Sequence, residues 1–473
     1  MKIIKVIFII IIFSAAIKAQ SGSLGSVDAR SMGMAKTYNT TAQGVFAIGI
    51  NPANLLGNEK YSFNLNTVLP LPDISVKTGT NFLTIDDINY FFGGVNGQSR
   101  ILTPEDKTRF NDLFSNGGFI FADAKVGLVS LSLTTGAGAF GISISDYAGA
   151  RINFPQALID IGLNGNTNNK TYSLNDSNVK SWWIRNYSLT YARDLTGFLP
   201  GLFSKFAAGF SIKLVQGFSY AGTDRVNTSF QAGDKNQITG TSDLRALSAF
   251  SQDFGFKYSF DSDSLKQSAQ RNMGPFPSPA GKGVGFDFGI STMIANEWNV
   301  SLAVTDIGKI NWDVNTAEFT GYGNIYFDDP TNQAQRDSLK DQITGKGKRI
   351  DGFSTQLATA FRFGISHYFL GQQNDDSGSL LLAFDYNQGF NDMPGNSTKP
   401  RFSLGTEWKP MRWLPYVRSG ISLGGEAGFN WAFGLGMDAG IVEFNFATSN
   451  MESLVAANKG KQISVALGSR WKF

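Results

Sequence analysis

The chain has no cysteine and one histidine in 473 residues. Without thiols there is no disulfide, no thiolate nucleophile, no Cys-ligated zinc or iron–sulfur cluster and no lipidated cysteine. A single histidine leaves almost no room for His-based metal sites or for most acid–base enzymes. Charge is scarce as well: Asp, Glu, Lys and Arg make up 17% of the chain, against ~25% in soluble domains. The 41 basic residues exceed the 38 acidic ones only through Lys2, Lys5 and Lys18. No basic surplus remains to hold a polyphosphate, so nucleic acid is not an expected partner. What the chain has in abundance is glycine, 53 residues, and phenylalanine, 40.

Residues 1–19 read as a secretory signal peptide. Lys2 and Lys5 form a positive start, Val6–Ile17 is an apolar stretch, and Ala19 precedes the cleavage point. The stretch is too short to span a bilayer. No later run reaches the ~18 apolar residues of a membrane helix. The expectation is export across an inner membrane of a Gram-negative cell.

The dominant pattern downstream is alternation. Val284, Phe286, Phe288, Ile290 and Ile294 share one parity, with Gly285, Asp287, Gly289 and Ser291 on the other. Phe206, Ala208, Phe210, Ile212, Leu214, Phe218 and Tyr220 form a second apolar series, and Phe429, Trp431, Phe433, Leu435 and Met437 a third. Side chains alternate across a strand, so each segment has one greasy face and one small or polar face. Many segments exceed the ~5–6 residues of ordinary strands and reach the ~9–11 needed to cross a bilayer when tilted. Lipid admits only helices or closed barrels. The predicted fold class is therefore all-β: a transmembrane antiparallel β-barrel of about 14 strands, with an N-terminal periplasmic-side hatch and short loop helices.

The expected organisation is a hatch at 20–58 and an outer-membrane barrel at 59–473, with long external loops at 71–118, 151–180, 222–282 and 312–353. Turns at 295–297, 410–411 and 439 fall on the periplasmic side. Strand 354–370 is read as continuous. Thr103–Ser115 opens with an N-cap, Pro and two acids, which predicts a loop helix; 156–163 and 329–344 are further helical candidates. The last segment, Gln462–Phe473, alternates and ends on Phe473. Such an ending is the expected recognition signal for the barrel-assembly machinery, with outer-membrane lipid around the wall.

On the inward parity lie Lys213, Arg362, Arg418 and Arg470, set against Asp287, Asp385, Glu407 and Glu443. A selective ion pore favours a ring of one sign. Balanced signs predict a lumen cross-linked by ion pairs or filled by a plug. His367 falls on the lipid-facing parity near a strand end, and no Ser-His pairing, phosphate-binding loop or metal signature accompanies it; Asn374-Asp375-Asp376 reads as a polar turn. No enzyme and no cofactor is expected.

Ala29–Ala35, followed by Phe46-Ala47-Ile48-Gly49-Ile50-Asn51-Pro52-Ala53-Asn54-Leu55, resembles the hatch of the FadL family of outer-membrane fatty-acid transporters, and is similar to PorV-like barrels of a secretion system. The Asn51-Pro52-Ala53 element and its spacing from Gly33 carry the resemblance. It implies a 14-stranded barrel and diffusion of an apolar ligand through an internal pocket and a gap in the wall. On this basis Met32, Met34, Phe46, Ile48, Asn51 and Pro52 are candidate hatch residues at the ligand. The expected function is a channel for small hydrophobic molecules; the alternative is a scaffold or shuttle for secreted proteins.

Overall fold

The structure is a computed structural model that describes residues 28–57, 61–94, 98–165, 167, 169–199, 201, 203–233, 237–260, 264–267, 274–329, 331–370, 378–411, 413–425 and 428–473. The signal-peptide reading of 1–19, the first part of the hatch and Asn374-Asp375-Asp376 lie outside the described residues.

Fourteen antiparallel strands close into a barrel. They are β1 (Phe63–Thr67 and Asp73–Thr80), β2 (Gly118–Thr135), β3 (Gly138–Phe154), β4 (Asn178–Asp194), β5 (Lys205–Val226), β6 (Gly281–Ile294), β7 (Trp298–Trp312), β8 (Phe353–Gln356 and Ala360–Leu370), β9 (Ser379–Gly389), β10 (Arg401–Lys409), β11 (Tyr416–Gly424), β12 (Asn430–Asp438), β13 (Val442–Thr448) and β14 (Gln462–Lys472). Both parts of β1 pair with β2 and with β14, which leaves no open edge. No described helix is long and apolar enough to cross a membrane. The crossing elements are strands whose outward side chains are apolar. In β6, Val284, Phe286, Phe288, Ile290 and Ile294 are exposed while Gly285, Asp287 and Gly289 are buried. At the rim that carries the short turns at 295–297 and 439, Trp298 stacks on His367 with ring centroids 4.6 Å apart, and Trp471 stacks on Phe473.

Several expectations are corrected. The loop expected at 71–118 begins only at residue 81, because the strand resumes after an interruption: Asp73–Thr80 is the upper half of β1. The strand expected at 354–370 is broken, with Leu357 and Ala358 turned fully inward. The loop 222–282 contains strands Ser229–Ala232 and Ile238–Phe250, and 312–353 contains Ala317–Phe327 and Lys346–Arg349. Ile238–Phe250 pairs with the upper end of β5 and with Ala317–Phe327, so the wall continues as a sheet beyond the rim that carries the long loops. Phe218 and Tyr220 are not lipid-facing. The β4–β5 register shifts between Trp183 and Ile184, opposite Phe218. An extra residue reverses the parity beyond it, so Tyr220 points inward and packs with Tyr147, Trp182 and Trp312.

Six helices are found among the described residues: α1 (Ala29–Gly33), α2 (Ile85–Phe92), α3 (Pro104–Asp112), α4 (Gln156–Asn164), α5 (Gln333–Thr344) and α6 (Met451–Val455). α3 starts at the expected Thr103 cap, with Asp106 completing a capping box. Phe91 of α2 and Phe110 of α3 meet edge to face at 4.8 Å. α1 and two 3-10 turns, Gly44–Ala47 and Pro52–Leu56, lie inside the barrel as a plug.

Candidate functional site

The plug is held by polar groups that the barrel aims inward. Asp28 caps α1, accepting from Ser31 N at 3.0 Å and from Ser31 Oγ at 2.7 Å. The cap fixes the helix that carries Arg30 into the lumen. Arg30 donates through Nε and Nη2 to both oxygens of Glu407, each at 2.9 Å, and through Nη1 to the Thr41 carbonyl. This bidentate geometry is the strong form of the ion pair. Burial alone would lower the Arg30 pKa, but the charge and hydrogen bonds of Glu407 hold it well above the usual arginine value. Glu407 also accepts from Arg418 Nε at 2.6 Å, and Glu443 accepts from Arg470 Nη2 at 2.6 Å. Arg418 Nη2 lies 3.9 Å from Glu443, so the chain Arg30–Glu407–Arg418–Glu443–Arg470 is continuous.

A second cluster grips the middle of the plug. Asp385 accepts from the backbone N–H groups of Tyr38 and Asn39 at 2.8 and 3.0 Å. Arg362 and Arg401 both lie over the Tyr38 ring, at 5.1 and 5.8 Å. Lys213 bridges Asp287 and Asp306 at 2.7 Å each. All eight lumen charges expected from parity are buried. Asp306, Tyr38 and Arg401 were missed. Asp306 sits at a left-handed φ of 58° beside the register shift of β6 and β7, where simple alternation fails.

Of the candidate hatch residues, Phe46 and Ile48 come together, with Val45 and Ile50, on a cavity of about 30 Å³ against β1–β3. Met32 packs on Ala447 and Ala466, and Met34 on Leu381 and Ala383; both are fully buried against the wall and line none of the cavities described. Asn51 and Pro52 dock on β5 and β6. Asn51 Nδ2 donates to the Ile290 carbonyl at 3.1 Å, and its Oδ1 accepts from Ala53 N, which starts the 3-10 turn at Pro52. This approach requires glycine at 289, where a Cβ would lie 2.0 Å from Asn51 Oδ1.

The cavity beside Phe46 abuts the one interruption of β1. Thr67 pairs with Val129 and Asp73 with Gly127, so the five residues Val68–Pro72 loop out opposite Leu128. On the other side, backbone pairing with β14 stops at Leu65 and resumes at Ile74. Ser469 patches the break: its Oγ accepts from Leu71 N at 3.1 Å and donates to the Leu71 carbonyl at 2.7 Å. Val68, Leu69 and Leu71 project outward, Leu69 being 69% exposed. Asn66 and Asp73, at the two lips of the break, line the cavity inside.

Residues 52–449 match a family of unknown function (DUF5723). The chain belongs to that family. The DUF5723 match takes in the last turn of the plug and strands β1–β13, and leaves α1 and β14 outside it. No curated protein matches the sequence. Among solved structures it is similar to a FadL homologue of Pseudomonas aeruginosa, at 12% identity over 96% of this chain and 100% of that one, with a TM-score of 0.46. It is also similar to the Pseudomonas putida toluene transporter TodX, at 11% identity over 95% and 99% of the two chains, TM-score 0.45. The translocator domain of the Neisseria meningitidis autotransporter NalP gives 8% identity over 88% and 91%, TM-score 0.31.

Proposed function

We propose that the protein is an outer-membrane channel for small hydrophobic molecules, and that its ligand passes between the plug and the bilayer through the break in β1. The observation that carries this reading is the meeting of an apolar plug face with that break. Val45, Phe46, Ile48 and Ile50 of the plug line the cavity inside, opposite a polar wall that includes Asp73 and Lys125, and Val68–Pro72 forms an apolar projection outside. A strand interrupted in this way has few backbone hydrogen bonds to part when it opens. Apolar side chains on the plug and at the break favour apolar cargo, which leaves no hydrogen bonds unmade in lipid. No catalytic step is part of the reading. The wall is embedded in outer-membrane lipid.

The chain's lack of cysteine makes a direct test simple. In Ile74→Cys/Leu467→Cys, directly paired positions where β1 rejoins β14 beside the break, the two new thiols are the only ones present. Oxidation should abolish uptake of a hydrophobic probe into cells or vesicles, and reduction should restore it. Equal uptake in both states sinks the route. Deleting residues 20–57 should raise leakage if the plug gates passage.

A second reading, a scaffold or shuttle for secreted proteins, is favoured by the sheet that rises beyond the rim, where Tyr322 and Tyr326 are exposed on Ala317–Phe327. Aromatic residues of this kind are enriched at binding surfaces. Loss of a co-purifying protein from a Tyr322→Ser/Tyr326→Ser variant, with probe uptake intact, would favour it.

A further inference from the structure

The helices at the long-loop end carry an apolar face that the described residues leave exposed. The buried side of α2 is Phe91, which meets Phe110 edge to face, and Asp87 of the capping box at Thr84. Ile85, Ile88 and Phe92 are exposed, Phe92 by 66%. Spaced i, i+3 and i+7, they fall within about 60° of arc at ~100° per residue and form one stripe. Asp86 and Asn89, the exposed positions next to it around the helix, are polar. α6 exposes Leu454 and Val455, and the 3-10 turn Ala457–Lys459 that follows it packs on α2. Exposed apolar surface gathered in this way marks an interaction site.

The wall beneath fixes where α2 sits. In β2, Ile120 and Ala122 point outward, while Phe119 and Phe121 point inward. Gly118 shares the outward parity. A Cβ there would lie 2.6 Å from Phe114 and 2.9 Å from Phe82, so these two rings, 4.2 Å apart, rest on the outer surface of the wall. Thr80 pairs with Ile120 and also points outward, yet it is buried, and its Oγ1 accepts from Phe82 N at 3.2 Å. Ile85 N donates to the Gly460 carbonyl at 3.2 Å, two residues before β14 begins. The α2–α3 pair therefore overhangs the lipid side of β14, β1 and β2. On those strands Ile463, Val76 and Ile120 are outward and exposed. Nearby, the Trp431 N–H donates to Glu452 in the first turn of α6. Trp431 itself is outward and exposed at the start of β12, and tryptophan is enriched at headgroup level.

We propose that α2 lies in the headgroup–acyl boundary of the outer leaflet, with Ile85, Ile88 and Phe92 inserted into lipid and Asp86 and Asn89 turned to water. The occupant is lipid because the stripe continues the lipid-facing surface of the strands below it. The attraction is apolar: residues 85–112 carry five acids, Asp86, Asp87, Glu105, Asp106 and Asp112, against three bases, Arg100, Lys107 and Arg109. With no basic surplus to draw anionic headgroups, binding follows the apolar area inserted. The inference needs the barrel in a membrane and makes no use of the ligand route through β1.

The absence of native cysteine permits nitroxide labels at single introduced thiols. Asp86→Cys, Ile88→Cys, Asn89→Cys and Phe92→Cys are labelled in the full-length protein in phosphatidylcholine nanodiscs, with Val465→Cys on the outward face of β14 as the lipid reference. Each label's collision rates with oxygen, which partitions into lipid, and with a water-soluble nickel chelate are measured. Labels at positions 88 and 92 should show several-fold fewer nickel collisions and more oxygen collisions than those at 86 and 89, approaching the label at 465. A melting temperature near that of the wild type establishes that each labelled variant is folded. Equal nickel collision rates at all four helix positions would put the stripe in water. Low rates with both reagents at 88 and 92 would put protein over it, a second copy or another loop. Either result overturns the proposal.

Discussion

Toward β10–β14 the plug presents Arg30 to Glu407, and through Arg418 and Glu443 that contact reaches Arg470 without a gap. Toward β1–β3 it presents Val45, Phe46, Ile48 and Ile50 to Asp73, Lys125, Ser130, Ser143 and Ser145 across a cavity. The first face is charged, bidentate and dry; the second sets apolar plug residues against a polar wall and is incompletely filled. The wall differs in the same sense. β10 and β11 pair without a register shift, whereas β1 is interrupted and β2–β3 shift at Gly127/Val129. One side holds the plug by buried ion pairs, and the other leaves space between plug and wall.

The comparison breaks most visibly at Glu407. Glu407→Gln leaves two buried guanidinium groups facing a neutral amide, and stranding buried charge costs about 3–5 kcal/mol. Denaturant unfolding in detergent should register that loss, and trypsin should gain access to Arg30. Ser143→Ala on the opposite face removes one hydroxyl beside a cavity and should cost under ~1 kcal/mol. Equal losses at the two positions would erase the distinction between the faces.

Gly289→Ala probes the docking of the Asn51-Pro52 turn. The added methyl lies 2.0 Å from Asn51 Oδ1 and 3.1 Å from the Pro52 ring, so Asn51 must release the Ile290 carbonyl or the turn must lift. Overpacking of this kind costs about 1–3 kcal/mol. Gly136→Ala, where a Cβ meets nothing within 4 Å, should be close to neutral in the same unfolding assay.

The regular parts of this architecture are legible in the sequence because lipid enforces them. An outward side chain at every second position of β6 must be apolar, so alternation names the strand, its face and the buried sign of Asp287. The Thr103 cap is equally local. Legibility ends where one residue changes parity. Pro70 and Pro72 read as a strand end, because proline cannot donate to the ladder; nothing nearby announces that the strand resumes at Asp73. The bulged Phe218 sends Tyr220 inward, against its apparent face. The external sheet of Ile238–Phe250 and Ala317–Phe327 carries no constraint from lipid, and alternation there does not separate it from loop. At the plug, the Asn51-Pro52-Ala53 motif marks a docking turn, but Met32 and Met34, conspicuous as apolar residues, are consumed by packing. Tyr38, lying among Thr and Asn residues, gives no sign of its two arginine partners.

The smallest expected effect lies outside the membrane and sets a scale for the others. Glu318 joins two strands of the external sheet, accepting from Lys348 at 2.9 Å and from Arg245 at 2.6 Å. Hydrogen bonds from Lys348 and Arg245 hold its carboxylate below the ordinary glutamate range. A depressed folded-state pKa contributes stability above the unfolded value of about 4.3, and that contribution is lost as pH falls through the folded value. Hydrogen exchange in Ala317–Phe327 should therefore accelerate as pH is lowered below about 4, after correction for intrinsic exchange. Glu318→Gln should exchange faster at neutral pH and lose most of the acid dependence. Both partners are water-accessible, so screening keeps the effect small, and added salt should shrink it further. The dry Arg30–Glu407 pair should be far less sensitive to salt. A salt response of equal size at the two pairs would mean that water reaches the anchored face of the plug, and the contrast between its two sides would then have to be abandoned.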